Sequence, residues 1–174
     1  MVMKFLVINP IPVKKRMIEL LFDYFFILAY LILLALGSFV YYLIFQNGMQ
    51  QPTEFESQSI TFFTSVLPIT LIFTYLDYIK NGSFGKKKAE LQLVYEKKTV
   101  QASLIRNAIK FLPWQIGHMS AIHSVYGGFD LLYFILCYTS ILFLVVLLAM
   151  SIFRKDKRHL GDLLAHTQLQ LKCE

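Results

Sequence analysis

The chain has 174 residues, 56% of them hydrophobic and 16% aromatic, with a mean hydropathy of +0.55. A soluble domain of that length cannot cover so apolar a composition with polar groups, so the class is integral membrane protein, with the lipid bilayer as its first partner. The formal net charge of +6 sits at the ends of apolar runs, where topology accounts for it without nucleic-acid binding.

In chain order, residues 1 to 15 read as a short tail. Phe5 to Ile8 is too short for a secretory h-region, and Pro10 and Pro12 interrupt it, so the N-terminus is expected to be retained. Asn9-Pro10-Ile11-Pro12 favours extended backbone, and Lys14-Lys15-Arg16 marks the cytoplasmic side. From Tyr24 to Phe45 the sequence is almost unbroken apolar. At about 1.5 Å per residue it can cross a hydrocarbon layer about 30 Å thick, giving a first span over about 17–45. Arg16, Glu19 and Asp23 are spaced i, i+3, i+7 and share one face of that helix. A carboxylate at Asp23 is costly there unless it is paired, protonated or near water.

Residues 46 to 59 carry Glu54 and Glu56 but neither Lys nor Arg, which predicts an outside loop. The second span covers about 60–80. Pro68 in its middle predicts a kink, and Asp77 and Lys80 lie where it returns to the cytoplasm. Lys80 to Lys110 is rich in basic residues and stays inside, with turns at Gly82 and Gly85 and with Lys86 to Lys88 placed against anionic headgroups. Leu91, Leu93 and Tyr95 alternate with Gln92 and Val94. The strand they predict either turns back as a hairpin through Glu96-Lys97-Lys98 or pairs with the same period at Thr167, Leu169 and Leu171.

Leu104 to Tyr126 is the ambiguous segment, because Arg106, Lys110, Gln115, His118 and His123 interrupt an otherwise apolar run. The last span, about 129–153, ends in Arg154-Lys155-Asp156-Lys157-Arg158. If the ambiguous segment did not cross, that basic end would lie outside; parity therefore predicts a third, polar span over about 103–126. Arg106 and Lys110 then snorkel at its inner end, and Ser124 to Asp130 form the second outside loop. The expected fold is an all-α membrane protein of four transmembrane helices with a small cytoplasmic loop or hairpin between helices 2 and 3. It forms a single domain over 1–174, with a cytoplasmic tail over 154–174 and both termini inside.

Asp23, Asp77, Arg16 and Arg106 all fall near the cytoplasmic ends of their helices, so a cluster that binds an ion or an anionic headgroup, or that joins three helices, is expected. His118 and His123 point roughly 140° apart on a helix and do not grip one metal together; each reads as a packed or interfacial histidine, with proton relay as the functional alternative. His159, Asp162 and His166 have zinc-compatible side chains at helical spacing, against the plainer reading that Gly161 ends one turn and Asp162 caps the next. Cys137 and Cys173 give neither a disulfide scaffold nor a prenylation signal. Trp114, Tyr41, Tyr42, Tyr126 and Tyr133 suit interface belts or helix packing. No nucleophile–base pair, phosphate-cradling loop or protease signature is present, so neither an enzyme nor a cofactor or metal is expected.

Arg16 followed by Asp23 in the first span, Gly85-Lys86 after the second and Leu104-Ile105-Arg106-Asn107 opening the third form an ordered set of motifs. Lys110-Phe-Leu-Pro-Trp114 and Lys157-Arg-His-Leu-Gly-Asp-Leu-Leu-Ala-His-Thr167 complete it. Over roughly residues 14 to 171 this order resembles the RDD family, small and mostly bacterial membrane proteins named for one arginine and two aspartates. The resemblance implies that Arg16 and Asp23 take the first two positions and Asp162 the third, with Lys86 part of the motif, in a multi-pass bacterial cell-membrane protein. Where members often carry Gly before the closing Thr, this chain has His166. Two functional classes follow from the resemblance. One is transport, including cation/proton antiport, expected here of a homo-oligomer that moves a cation in exchange for protons, or another small solute, with Asp23 titrating and Arg16 tuning it; the other is a non-transporting accessory, regulatory or immunity subunit that binds another membrane protein.

Overall fold

The computed structural model describes residues 11–45 and 51–172, so the expectations for residues 1–10, for 46–50 of the first outside loop and for Cys173 lie outside the described residues. Helix α1, Val13–Phe45, has 33 residues and no proline, and its Leu, Ile and Ala content favours helix. Its polarity is inverted relative to a soluble helix. Its buried residues are Arg16, Glu19 and Asp23, whereas Leu33 is 69% exposed and Ile44 67%. Lipid replaces water as the medium for the apolar side, and protein surrounds the charges.

A second rod runs from Glu54 to Lys80. Helix α2, Glu54–Thr61, starts from a capping box in which the Thr53 N–H donates to Glu56 at 2.7 Å and the Glu56 N–H donates to the Thr53 hydroxyl at 3.3 Å. A π-turn over Phe62–Val66 follows, then α3, Leu67–Lys80. The expected disturbance at Pro68 takes this form: Leu67 N–H reaches back to the Phe62 carbonyl. Pro68 has no N–H for the Thr64 carbonyl, which instead accepts the Tyr30 hydroxyl of α1 at 2.5 Å.

Asn81, in the left-handed region at φ 52°, ends α3, and Ser83 caps the short α4, Phe84–Lys88. Strand β1, Leu91–Tyr95, pairs antiparallel with β2, Thr167–Leu171, placing Leu93 opposite Leu169. The all-α expectation is thus corrected by a two-stranded sheet, and the hairpin alternative by a pairing with the distant C-terminal tail. Ala89, Leu91, Leu93 and Leu169 form its buried face with Ile11. That apolar face stabilises a ribbon that water would otherwise unpair.

Helix α5, Val100–Tyr126, is capped by Thr99. It is followed after four residues by α6, Leu131–Phe153, capped by Asp130. The two run antiparallel in close contact: the Ser140 hydroxyl donates to the Pro113 carbonyl at 2.7 Å, and Ser120 donates to the Tyr133 carbonyl at 3.1 Å. Small polar residues at such a contact let backbones approach and hydrogen-bond. Phe111 of α5 meets Phe73 of α3 edge-on with centroids 5.2 Å apart, beside Ile69. A five-residue α7, Leu160–Leu164, precedes β2. Among the described residues, three helical segments are long and apolar enough to cross a membrane: Val13–Phe45, Glu54–Lys80 and Leu131–Phe153.

Candidate functional site

Where α1, α3, α4, α5 and α7 converge, the polar stripe of α1 meets charges from the other four. Four cations, Arg16, Lys86, Arg106 and Lys110, face four carboxylates, Glu19, Asp23, Asp77 and Asp162. Arg106 sits at the centre. Its Nε donates to Asp162 Oδ1 at 2.6 Å and its Nη1 to Asp77 Oδ2 at 2.7 Å, a use of the guanidinium fork in two directions. Lys86 Nζ, fully buried, donates to Asp77 Oδ1 at 3.0 Å and lies 3.8 Å from Glu19. Arg16 donates to Glu19 at 2.6 Å and to the Lys157 carbonyl at 2.9 Å.

Asp23 accepts from three elements: the Ser83 hydroxyl at 3.0 Å, the Gly85 N–H at 3.0 Å and Lys110 Nζ at 3.1 Å. Asn107 donates to Asp77 at 3.1 Å, and Thr167 donates to Asp162 at 2.9 Å. Burying one such ion alone is prohibitive; with each carboxylate paired and further hydrogen-bonded, the group is held as a unit. The model of the RDD family matches residues 11–166, a stretch that takes in every helix around this cluster.

The chain belongs to the RDD family. No curated protein and no solved structure matches it. The three residues assigned to the RDD positions, Arg16, Asp23 and Asp162, all lie in the cluster, together with Lys86, Asp77 and Arg106. Arg16 contacts Glu19, the next member of its helical face, and the cation of Asp23 is Lys110. Arg106 and Lys110 do not snorkel: both turn into the protein, Arg106 being 2% exposed. Lys86 is not at the headgroups either, although Lys87 and Lys88 are exposed.

Sequence reasoning missed Ser83, and it named Asn107 and His159 without giving them these contacts. The signal for His159 was its spacing. It is the N-cap of α7, accepting the Gly161 N–H at Nδ1, while its own N–H donates to Asp162; Asp162 therefore closes this capping box and does not cap a separate turn. His166 is exposed and pairs with Glu96, so the three do not converge, and no metal-holding group occurs among the described residues. His123 bridges Glu54 at 2.8 Å and Asp130 at 3.1 Å at the other end of α5, and Trp114 packs beside Phe111 and His118.

Burial pushes the His159 imidazole down to about 3, with nearby Arg106 outweighing part of the pull from Asp162. Burial alone would raise the Asp162 carboxyl, but the Arg106 guanidinium beside it holds it below the usual carboxylate range. Folded His159 is therefore neutral where an unfolded histidine, at 6.5, takes up a proton. Its contribution is complete above that value. As pH falls from there toward 3, stability declines by up to roughly 1.4 kcal/mol per pH unit. Unfolding midpoints of the purified protein from pH 7 to pH 4 should fall more steeply than those of His159→Asn, which keeps a cap without the titration; parallel slopes contradict this.

Proposed function

We propose that this RDD protein crosses the bilayer four times with both termini cytoplasmic, and exchanges a cation for protons at the Asp23–Lys110 pair. Helix α5, at 27 residues and about 1.5 Å per residue, is long enough for the fourth crossing, with Arg106 and Asn107 turned toward α3, Lys110 toward α1 and Ser120 toward α6. An even count keeps Arg154 to Arg158 on the side of Lys14 to Arg16. A cysteine replacing Lys155, in a chain whose own two cysteines are changed to serine, should react with an impermeant thiol reagent from the cytoplasmic side only. Reaction from the exterior breaks the count.

The observation that carries the exchange reading is access. Lys110 has 20% of its side chain exposed, against 5% or less for the other members of the cluster, and among the described residues it is the cation paired with Asp23. A cation arriving at Asp23 competes with this ammonium. If displaced Lys110 releases its proton, the site keeps its charge and one cation is traded for one proton. The transport attributed to RDD relatives agrees with this chemistry.

A second reading, a non-transporting accessory or immunity subunit, draws on the charge balance: four carboxylates already hold four internal cations, which describes a clasp as well as a carrier. Sealed liposomes containing the protein decide between them. The exchange reading predicts cation-dependent proton flux that Asp23→Asn and Lys110→Gln each abolish. No flux with any of several cations, together with a membrane protein that copurifies in mild detergent, selects the accessory reading.

A further inference from the structure

Buried polar groups are not confined to the charged cluster. Ser65, in the π-turn, is 4% exposed and its hydroxyl has no partner among the described residues; the shielded Gln115 Oε1 and His118 Nε2 of α5 and Gln58 Oε1 of α2, on half-buried side chains, likewise have none there. The antiparallel register brings these groups to neighbouring turns of the two rods. Phe73 meets Phe111 toward the cluster, while Gln58 Nε2 donates to the Met119 carbonyl at 3.1 Å and the Ser57 hydroxyl meets that of Tyr126 at 2.7 Å toward the far end. Ser65 precedes Phe73 by the same eight positions by which Met119 follows Phe111, so it lies opposite Met119, beside His118 and about one turn from Gln115. Gln115 and His118 are spaced i, i+3 and share a face.

Buried amides and hydroxyls without protein partners are normally satisfied by bound water. Toward the cluster this region closes on an apolar layer. Ile69, Phe73 and Phe111 are buried with Trp114 against them, and Lys110 Nζ lies 4.6 Å from the Phe73 centroid and 5.3 Å from that of Phe111. The π-turn carrying Ser65 is independently the kind of local irregularity that recurs at functional sites.

We propose that Ser65, Gln115, His118 and Gln58 form a second polar site that binds a small group of water molecules and hands protons toward Lys110, with the Phe73–Phe111 pair as the barrier between them. The water site stands on packing alone; the proton traffic rests on the exchange reading. Ser65→Ala and Gln115→Leu should each lower the thermal midpoint by about 2–4 °C, because each removes a partner of bound water. An unchanged or raised midpoint, the result of replacing a truly unpaired group by an apolar one, overturns the site.

Radiolytic hydroxyl-radical labelling of the wild type, read by mass spectrometry, supplies a measurement that needs no variant. His118 should be oxidised at a rate near that of exposed His166; several-fold protection overturns the site. Phe111→Ala in liposomes should raise passive proton leak several-fold, and an unchanged leak overturns the barrier. Absence of cation-driven flux in the wild type overturns the exchange reading alone, since neither the midpoints nor the labelling depend on it.

Discussion

Arg106→Gln is expected to cost about 3–5 kcal/mol, because it leaves buried carboxylates without the cation that neutralises them. Asp162 retains only the Thr167 hydroxyl at 2.9 Å, the His159 N–H at 3.3 Å and the imidazole as neighbours, and Asp77 retains Lys86 and Asn107. Since Arg106 ties α5 to both α3 and α7, the loss should loosen the C-terminal tail as well as the helix bundle. In detergent the unfolding midpoint should fall on the order of 10 °C. Arg106→Lys should rescue it only in part: an ammonium keeps the charge but cannot reach both carboxylates with the geometry of the fork. A midpoint within about 2 °C of wild type for Arg106→Gln would remove the arginine from the centre of the account.

The second large effect is steric. A Cβ on Gly85 would stand 2.1 Å from the Glu19 carbonyl oxygen and 2.7 Å from Asp23 Oδ1. The first of these is backbone against backbone, which no rotamer relieves, so Gly85→Ala must push α4 off α1. That movement also breaks the 3.0 Å hydrogen bond from Gly85 N–H to Asp23. Overpacking and the loss of a hydrogen bond to a charged group together should cost about 3 kcal/mol or more. Gly37→Ala is the control, with nothing within 4 Å of the added carbon; there alanine's better helix propensity should leave stability equal or up to about 1 kcal/mol higher. Comparable midpoints for the two variants would contradict the close α1–α4 contact.

Much of this site could be read from spacing. Arg16, Glu19 and Asp23 repeat at helical intervals in an apolar segment, and charges in such a place must face protein, which is where α1 puts them. The third and fourth elements around the site were harder. Positive charge at a helix end sets sidedness but does not distinguish a lysine facing headgroups from one facing a carboxylate, so Lys86 and Lys110 were placed outside the cluster they complete. Which cation meets which carboxylate depends on the rotation and depth of five elements, and Arg16 accordingly pairs with Glu19 and not with Asp23.

Period-two alternation found both strands, yet only the shared apolar face with Ile11 selects the tail over a local hairpin. Helix α5 escapes a hydropathy reading for the same reason that it matters: Arg106 and Asn107 are buried against charges, so its composition resembles that of a surface helix. The π-turn had a visible signal in Pro68, but a missing N–H states only that the helix must adjust, not how.

The most direct measurement of the central claim, that these buried groups are ionised and mutually compensating, is a double-mutant cycle on Arg106 and Asp162 in detergent. If the charges compensate, Arg106→Gln and Asp162→Asn are each severely destabilising, and the double variant, again balanced with three charges of each sign, is more stable than the sum of the single losses by about 1.5 kcal/mol or more. Strict additivity would contradict the account.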